Sequence, residues 1–242
     1  MMKNKEKQFL STQAYQLIKE AIVTCELSPG QLIVQSDLAE MYGVGVTPVR
    51  EALRRLGLEG FVIAVPRLGY QVSPITFQDI QEIFELRLVL ECAAVRFASE
   101  RATTEQLRKI SESANFTYEY KKRDSYINFL QHNADFHILI TSTSGNSRLI
   151  HQIRKIMDEL HRVFHLGLDV RDSADEMRMD HIRISDALNN RDAELVEKLI
   201  RNEIVTSQER IFEALKEYQK NTAPVGFPNS AFPVDFKGDG GS

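Results

Sequence analysis

Long apolar runs are missing from this 242-residue chain. No stretch approaches the roughly 18 uninterrupted apolar residues that a membrane helix needs. The first segment, MMKNKEKQFL, also lacks the apolar core of a secretion signal; it is charged and runs into an amphipathic pattern, so the expected address is cytoplasmic. Cysteine is nearly absent. Cys25 and Cys92 form no CxxC pair and no even framework, which argues against a disulfide scaffold or a zinc ribbon. Both fall on predicted helices and are expected to be buried, reduced thiols. HExxH and nucleophile motifs are missing too, and GVGVTP has neither the third glycine nor the preceding strand of a dinucleotide loop.

Net positive charge is likewise lacking: the whole chain stands at -4. The sum hides an asymmetry, because residues 1–74 carry eight Lys/Arg against seven Asp/Glu and the acidic excess lies entirely beyond them. A phosphate backbone responds to a local basic face, and Arg50, Arg54, Arg55 and Arg67 cluster in the first part. So small an excess gives modest nonspecific affinity in one copy, which two copies would raise.

What is there reads as two units. Ser11 can cap a helix to about Glu26, with Tyr15, Ile18, Ile22 and Val23 at helical spacing, and LSPGQL then breaks it. Ser36 can cap a short helix, DLAEMY, which Gly43 ends by supplying positive φ. Thr47 followed by Pro48 is a cap with proline at the first helical position, for a helix through VREALRRLGLEG. Two β-prone runs, FVIAV and YQV, flank a Pro-Arg-Leu-Gly turn. Helix, short helix, helix and hairpin is the winged helix-turn-helix order.

Pro74 closes that unit, and strand candidates disappear. Thr76 and Asp79 form a capping box for a helix to about Arg101. Further helices are predicted from Thr103 or Thr104 to about Arg123, Asp124 to Thr143, Asn146 to about Leu166, Ser173 to Asn190, and Asp192 to about Tyr218. The expected fold is therefore mainly α: a winged helix-turn-helix over 1–74 and an antiparallel all-helical bundle over 75–220. Residues 221–242, rich in Gly and Pro without periodicity, are expected to be a disordered tail.

At SPGQL, LAEMYGVGVTPVREALRRLGLEGFV and PRLGYQV the sequence strongly resembles the winged helix of the GntR family of bacterial transcription regulators. ELRLVLE at 85–91, FHILITSTSGN at 136–146 and DHIRISDALNNRDAELVEKLI at 180–200 resemble the FadR-type effector-binding domain of that family, the all-helical FCD domain. The resemblance implies a dimeric, cytoplasmic regulator of palindromic DNA, switched by a small ligand in the bundle.

A recognition helix enters the major groove N-terminus first. Thr47 and Arg50 lie at that end; Arg50 suits a guanine edge or a phosphate, Arg54 a phosphate one turn on, and Arg67 at the hairpin tip the minor groove. Ser36 starts the preceding helix and completes the candidate DNA-binding set. The plain alternative is that the arginines solubilise a helix whose apolar side is Val49, Leu53 and Leu56.

In many members of the family the positions of Asn133, His137, His181 and Glu203 are Asp, His, His and His, and hold a metal. The resemblance maps that site here with two substitutions, leaving an oxygen-richer set that would suit one divalent transition metal, Zn, Ni, Mn or Fe(II). A pocket without metal, taking its ligand by hydrogen bonds alone, is the alternative. Arg87 matches a pocket-facing position in relatives; its plain alternative is an ion pair with Glu91. Of the i, i+4 pair His161 and His165, one lines the pocket, and His165 is assigned to it. Metal and arginine together would hold an organic carboxylate. A metallohydrolase and a helical protein-interaction module are the other readings.

Members commonly carry Ser-Arg or Thr-Arg where this chain has Gly45-Val46. Loss of an arginine that pairs with guanine removes about 1–3 kcal/mol of discrimination at that base, and Val46 offers a contact for a thymine methyl instead. An unbiased selection of bound DNA should therefore return a half-site without the family's usual guanine preference at that step; an unchanged preference would refute the assignment.

Overall fold

The computed structural model describes residues 2–221, so the expected tail lies, from residue 222 on, outside the described residues. Helix α1 spans Met2–Val23, strand β1 Leu32–Ile33, α2 Gln35–Met41, α3 Val46–Leu58, β2 Val62–Val65 and β3 Gly69–Val72. The bundle follows: α4 Phe77–Arg101, α5 Thr104–Ser113, α6 Arg123–Thr143, α7 Ser147–Val170, α8 Ala174–Asn189 and α9 Ala193–Asn221. A mainly helical chain with an N-terminal winged helix-turn-helix is what the sequence pattern led us to expect.

In the first unit the apolar stripes meet as their spacing requires. Ile18 and Ile22 of α1 pack with Val49, Leu53 and Leu56 of α3, all with no exposed surface, and Val72 of β3 closes the cluster from below. The sheet has the order β1-β3-β2, antiparallel throughout, with Ile33 opposite Tyr70 and Val62 opposite Val72. Gly43 holds φ at +61° between α2 and α3, a conformation that strains any residue with a Cβ.

Several helix starts differ from expectation. Helix α1 begins well before Ser11, since nothing in MKNKEKQF breaks a helix; Ser11 instead donates to Glu51 Oε2 at 2.5 Å. Val34, not Ser36, is the N-cap of α2, and Ser36 sits inside the first turn with its hydroxyl on Asp37. Gly45 precedes α3, so Thr47 and Pro48 are its second and third residues. Proline is tolerated there because the first turn's N–H groups have no intrahelical acceptor to lose. Strand β1 was not foreseen; two residues give no period to read. Cys25 lies in the turn after α1 at φ 59°, not on a helix, although both cysteines are buried and in no disulfide.

The bundle begins as expected. Thr76 Oγ1 accepts from the Asp79 N–H at 3.0 Å while Asp79 Oδ2 accepts from the Thr76 N–H at 2.9 Å, and Thr103 with Gln106 does the same for α5. Helix α5, however, stops at Ser113, short of the expected Arg123. Phe116 and Tyr118 both turn inward, meeting Phe129 of α6 at 5.2 and 4.5 Å between ring centroids. Residues two apart point the same way in an extended chain and roughly oppositely on a helix, so burying both rings on one side ends the helix.

Helix α7 packs against α4, α6 and α9, and also against α1 of the first unit. Lys19 of α1 donates to Asp158 of α7 at 2.8 Å. Arg162 of α7, 8% exposed, donates to the Ser73 carbonyl at 3.3 Å and lies over the Phe61 ring.

Thr76→Ala removes the hydroxyl half of the α4 capping box. The expected loss is about 1 kcal/mol, seen in calorimetry as a melting temperature lower by ~2–4 °C, with Thr76→Ser close to wild type.

Candidate DNA-reading surface and effector pocket

On the first unit the five expected DNA contacts, Ser36, Thr47, Arg50, Arg54 and Arg67, are all exposed. Helix α3 divides cleanly: Val49, Leu53 and Leu56 are buried while Arg50 and Arg54 face solvent. Among the described residues no ion pair or hydrogen bond holds Arg50, Arg54 or Arg67. Arg55 is different. Its guanidinium lies 3.6 Å from the Tyr15 ring centroid and its Nε donates to Glu59 at 3.1 Å, so it belongs to the scaffold. Val46, the first residue of α3, is 46% exposed and stands at the end that would reach base edges. Arg67 occupies the hairpin tip at φ 68°, a left-handed conformation that is costly for a residue with a Cβ.

In the bundle four helices converge on one buried polar group. Helix α4 supplies Arg87 and Glu91, α6 Asn133 and His137, α8 His181 and α9 Glu203, none more than 2% exposed. Arg87 Nε donates to Glu91 Oε1 at 2.6 Å; its Nη2 lies 3.1 Å from Glu203 Oε2 and 3.0 Å from His137 Nε2. His137 Nδ1 is 2.6 Å from Glu91 Oε2. A carboxylate only accepts, so the ring proton sits on Nδ1; Arg87 Nη2, 3.5 Å from Nδ1 as well as 3.0 Å from Nε2, rests over the face of the ring. The i, i+4 ion pair of Arg87 and Glu91 therefore exists, and both partners reach further, across to α6 and α9.

The His137, His181 and Glu203 ligand atoms lie within 4.8 Å of one another, a group able to hold a metal ion. Asn133 stands one turn before His137, its Oδ1 buried and without a hydrogen-bond partner, as are both ring nitrogens of His181. Buried polar atoms are rarely left unsatisfied, so these orphans point to a ligand. His181 is held by stacking on Phe136 at 4.2 Å and contacts with Phe116 and His137 at 5.2 Å. The two imidazoles and one carboxylate that come together fit a divalent transition metal, with the Asn133 amide oxygen as the expected fourth donor. Glu91 is then the carboxylate that fixes the ring of a ligating histidine.

Electrostatics follow burial. Burial pushes His181 well below the usual imidazole range, and the neighbouring His137, Arg87 and Arg210 push the same way. For Glu91 burial acts upward, but Arg87 and then His137 override it and hold the carboxyl at about 2. Two carboxylates against one guanidinium leave the group with one net negative charge when the imidazoles are neutral.

His165 lies elsewhere than expected. It meets Tyr126 edge-on at 5.8 Å and, with His161, lines a crevice of about 320 Å³ between α1 and the α6–α7 pair. Glu91 as a support for His137 escaped the sequence reading, which saw it only as a partner for Arg87. Arg210 escaped altogether. It lines a groove of about 580 Å³ between α8 and α9 with Asp180, Asn202 and Thr206, the neighbours of His181 and Glu203, and its buried Nη2 has no hydrogen-bond partner. No motif singles it out.

Comparison with known proteins decides the family. Residues 82–206 match the FCD domain and residues 10–72 match the model of bacterial regulatory proteins, gntR family. The chain belongs to the GntR family of transcription regulators with an FCD domain. It is 27% identical to the HTH-type transcriptional regulator YdhC of Bacillus subtilis (strain 168), covering 86% of this chain and 94% of that protein. With the HTH-type transcriptional repressor RspR of Escherichia coli (strain K12) it shares 23% over 86% and 91% respectively. Among solved structures E. coli McbR/YncC superposes with a TM-score of 0.68 at 24% identity, over 87% of this chain and 99% of that one. The GntR-type chain is thus a DNA-binding regulator with an effector-binding helical domain; the family's members are not enzymes, and the hydrolase reading falls away.

Buried histidines give acid sensitivity with a definite sign. Burial holds His161 at about 4 and His181 well below 6.5. The unfolded chain takes up these protons below about 6.5, so stability is full above that pH and falls as pH drops toward about 4. Glu91, depressed to about 2, adds its loss only below about 4.5. Melting temperatures between pH 8 and 4.5 should fall on the acid side, and His161→Gln should flatten the slope.

Proposed function

We propose that this GntR regulator binds a palindromic operator as a dimer and is switched by a small organic carboxylate held in the bundle together with a divalent transition metal. The observation that carries the reading is the convergence of Arg87, His137, His181 and Glu203 from α4, α6, α8 and α9 on one buried point, with buried atoms that have no hydrogen-bond partner on His181 and on Asn133, one turn before His137. Asn133, His137, His181 and Glu203 are the proposed ligands, with Zn, Ni, Mn and Fe(II) all compatible with the mixed set. When bound, the metal would supply a Lewis-acidic site for one carboxylate oxygen.

Charge ties the two ligands together. Without a metal the group is net negative and repels an anion; a divalent ion makes it net positive. Arg87 Nη1, buried and without a hydrogen-bond partner, is the donor for the second carboxylate oxygen. The histidine pair near α1 plays no part in this anion site as we draw it; His165 serves instead at the crevice between the units.

On the DNA side Thr47, Arg50 and Val46 are the proposed base contacts, Arg54 and Ser36 the phosphate contacts, and Arg67 the minor-groove contact. A second copy doubles a weak basic face and presents two recognition helices to two half-sites. Leu86 and Val89 on the outer side of α4, 47% and 67% exposed, favour such a pairing through the bundle. A regulator of bacterial operators works where the DNA is, in the cytoplasm; no helix among the described residues is long and apolar enough to cross a membrane.

Arg50→Ala tests the reading of α3. Specific operator binding in a gel-shift titration should weaken by about 1–3 kcal/mol, ~5- to 150-fold, with melting temperature unchanged because Arg50 supports nothing in the fold. Undiminished binding would remove α3 as the reading element.

A further inference from the structure

Arg162 of α7 is a buried cation without a counter-ion. It is 8% exposed, yet among the described residues its one hydrogen bond runs from Nη1 to the Ser73 carbonyl at 3.3 Å, and its Nε is buried with no partner. Its other contact is the Phe61 ring, 5.3 Å away. Arg87, as deeply buried, has two carboxylates. A guanidinium taken out of water is costly unless a partner offsets it, and burial accordingly lowers the pKa of Arg162. Beside it, at the joint between the two units, is a cavity of about 220 Å³. Ser73, in the segment leading from β3 to α4, lines this cavity together with Arg162, and Ser73 Oγ is a second buried atom with no hydrogen-bond partner. Two unsatisfied polar side chains lining one cavity point to a guest.

Charge and shape define that guest. Asp79 and Glu159 also line the cavity, so a plain anion meets two carboxylates as well as the guanidinium. Asp79 is committed to Thr76, whereas Glu159 has only a 3.9 Å contact with Lys155 among the described residues. Glu159 and Arg162 are three apart on α7 and therefore neighbours on one helix face. A carboxylate and a guanidinium side by side, with no bond between them, fit a molecule that carries both charges a short distance apart. Ile75, Ile80 and Val163 add an apolar wall. The volume, about seven waters' worth at ~30 Å³ each, limits the guest to a small molecule.

We propose that this cavity is a second ligand site, separate from the polar group of the bundle, and that it takes a small aliphatic α-amino acid as its zwitterion. Arg162 and the Ser73 hydroxyl hold the carboxylate, Glu159 holds the ammonium, and the apolar wall takes the side chain. Gly60, just past the end of α3, lines the cavity too, so the guest touches both units at once. Its binding fastens them together and is linked reciprocally to operator binding.

Calorimetric titration of full-length protein with millimolar L-valine tests this, after stripping with chelator so that no metal recruits the amino acid. Isovalerate and isobutylamine, each carrying one of the two charges, are the controls. Wild type should bind L-valine, and each control ~10-fold or more weakly, the order of one hydrogen bond to a charged group. Glu159→Gln should weaken L-valine by a similar factor and leave isovalerate no weaker, while Ser73→Ala should weaken both. Arg162→Met, which keeps an unbranched stem against Phe61, should bind neither; should it fold poorly, the other two variants carry the test. Absence of L-valine binding to wild type overturns the proposal. So does isovalerate binding as tight as that of L-valine, which makes the guest a plain anion, and so does L-valine affinity unchanged in both Glu159→Gln and Ser73→Ala, which places binding elsewhere. None of these results touches the metal reading of the bundle.

Discussion

One buried cation organises the bundle. Arg87 has no exposed surface and lies against Glu91 and Glu203 from two different helices. Burying three charges costs several kcal/mol each unless every partner is in place, so α4, α6 and α9 cannot pack in this arrangement unless the side chains of Arg87, Glu91, His137 and Glu203 are correctly set. Apolar packing around Phe84, Phe129 and Phe136 would be satisfied by several small slides of one helix on another. The polar group is satisfied by one. It thus specifies register where the hydrophobic core only supplies attraction, and it leaves a few buried atoms, on Asn133 and His181, without a hydrogen-bond partner.

The same group lies on helices that α7 connects by packing to the first unit. Helix α7 touches α4, α6 and α9 on one side and α1 on the other, with Arg162 buried between the Ser73 carbonyl and the Phe61 ring. A ligand that alters the spacing of α4, α6 and α9 therefore acts on the unit that holds the recognition helix through packed contacts rather than through a free linker. Coupling of this kind is reciprocal: whatever ligand does to operator affinity, operator does to ligand affinity.

Local chemistry made much of the fold readable before any coordinates. Thr76–Asp79 announces α4 because both halves of a capping box lie within four residues, and Gly43 announces the turn before α3 because only a positive φ ends α2 there. The stripe of Val49, Leu53 and Leu56 fixes which side of α3 is buried, and so which arginines are left outside. Features set by distant neighbours were not readable. Helix α5 ends early because α6 offers a place for Phe116 and Tyr118. Gly45 rather than Thr47 is the N-cap of α3 because cap preference is a weak bias that packing overrides by a residue or two. His161 and His165 share a helix face by spacing, yet spacing says nothing about which neighbour that face meets, and it meets α1. In the pocket, His137, His181 and Glu203 of the four expected positions come together, a closeness that periodicity does not carry; the reach of Glu91 to His137, and of Arg87 to Glu203, needed the cross-helix distances.

A chain of polar contacts ties down one end of the recognition helix. Glu59, just past the end of α3, accepts from Tyr15 at 2.7 Å and from Arg55 at 3.1 Å, and Lys19 beside it reaches Asp158 of α7. Nearer the opposite end, Ser11 of α1 donates to Glu51 at 2.5 Å and Val49 is buried, so that end is held within the first unit while Val46, Thr47 and Arg50 stay exposed. A 13-residue helix is ~20 Å long, so α3 is a lever pinned at the bundle side. A tilt of ~10° at the pin displaces the DNA-facing tip by ~3 Å, close to the ~3.4 Å rise of one base pair. A rearrangement of the bundle that tilted α3 by that much would be read by DNA on the scale of one base step.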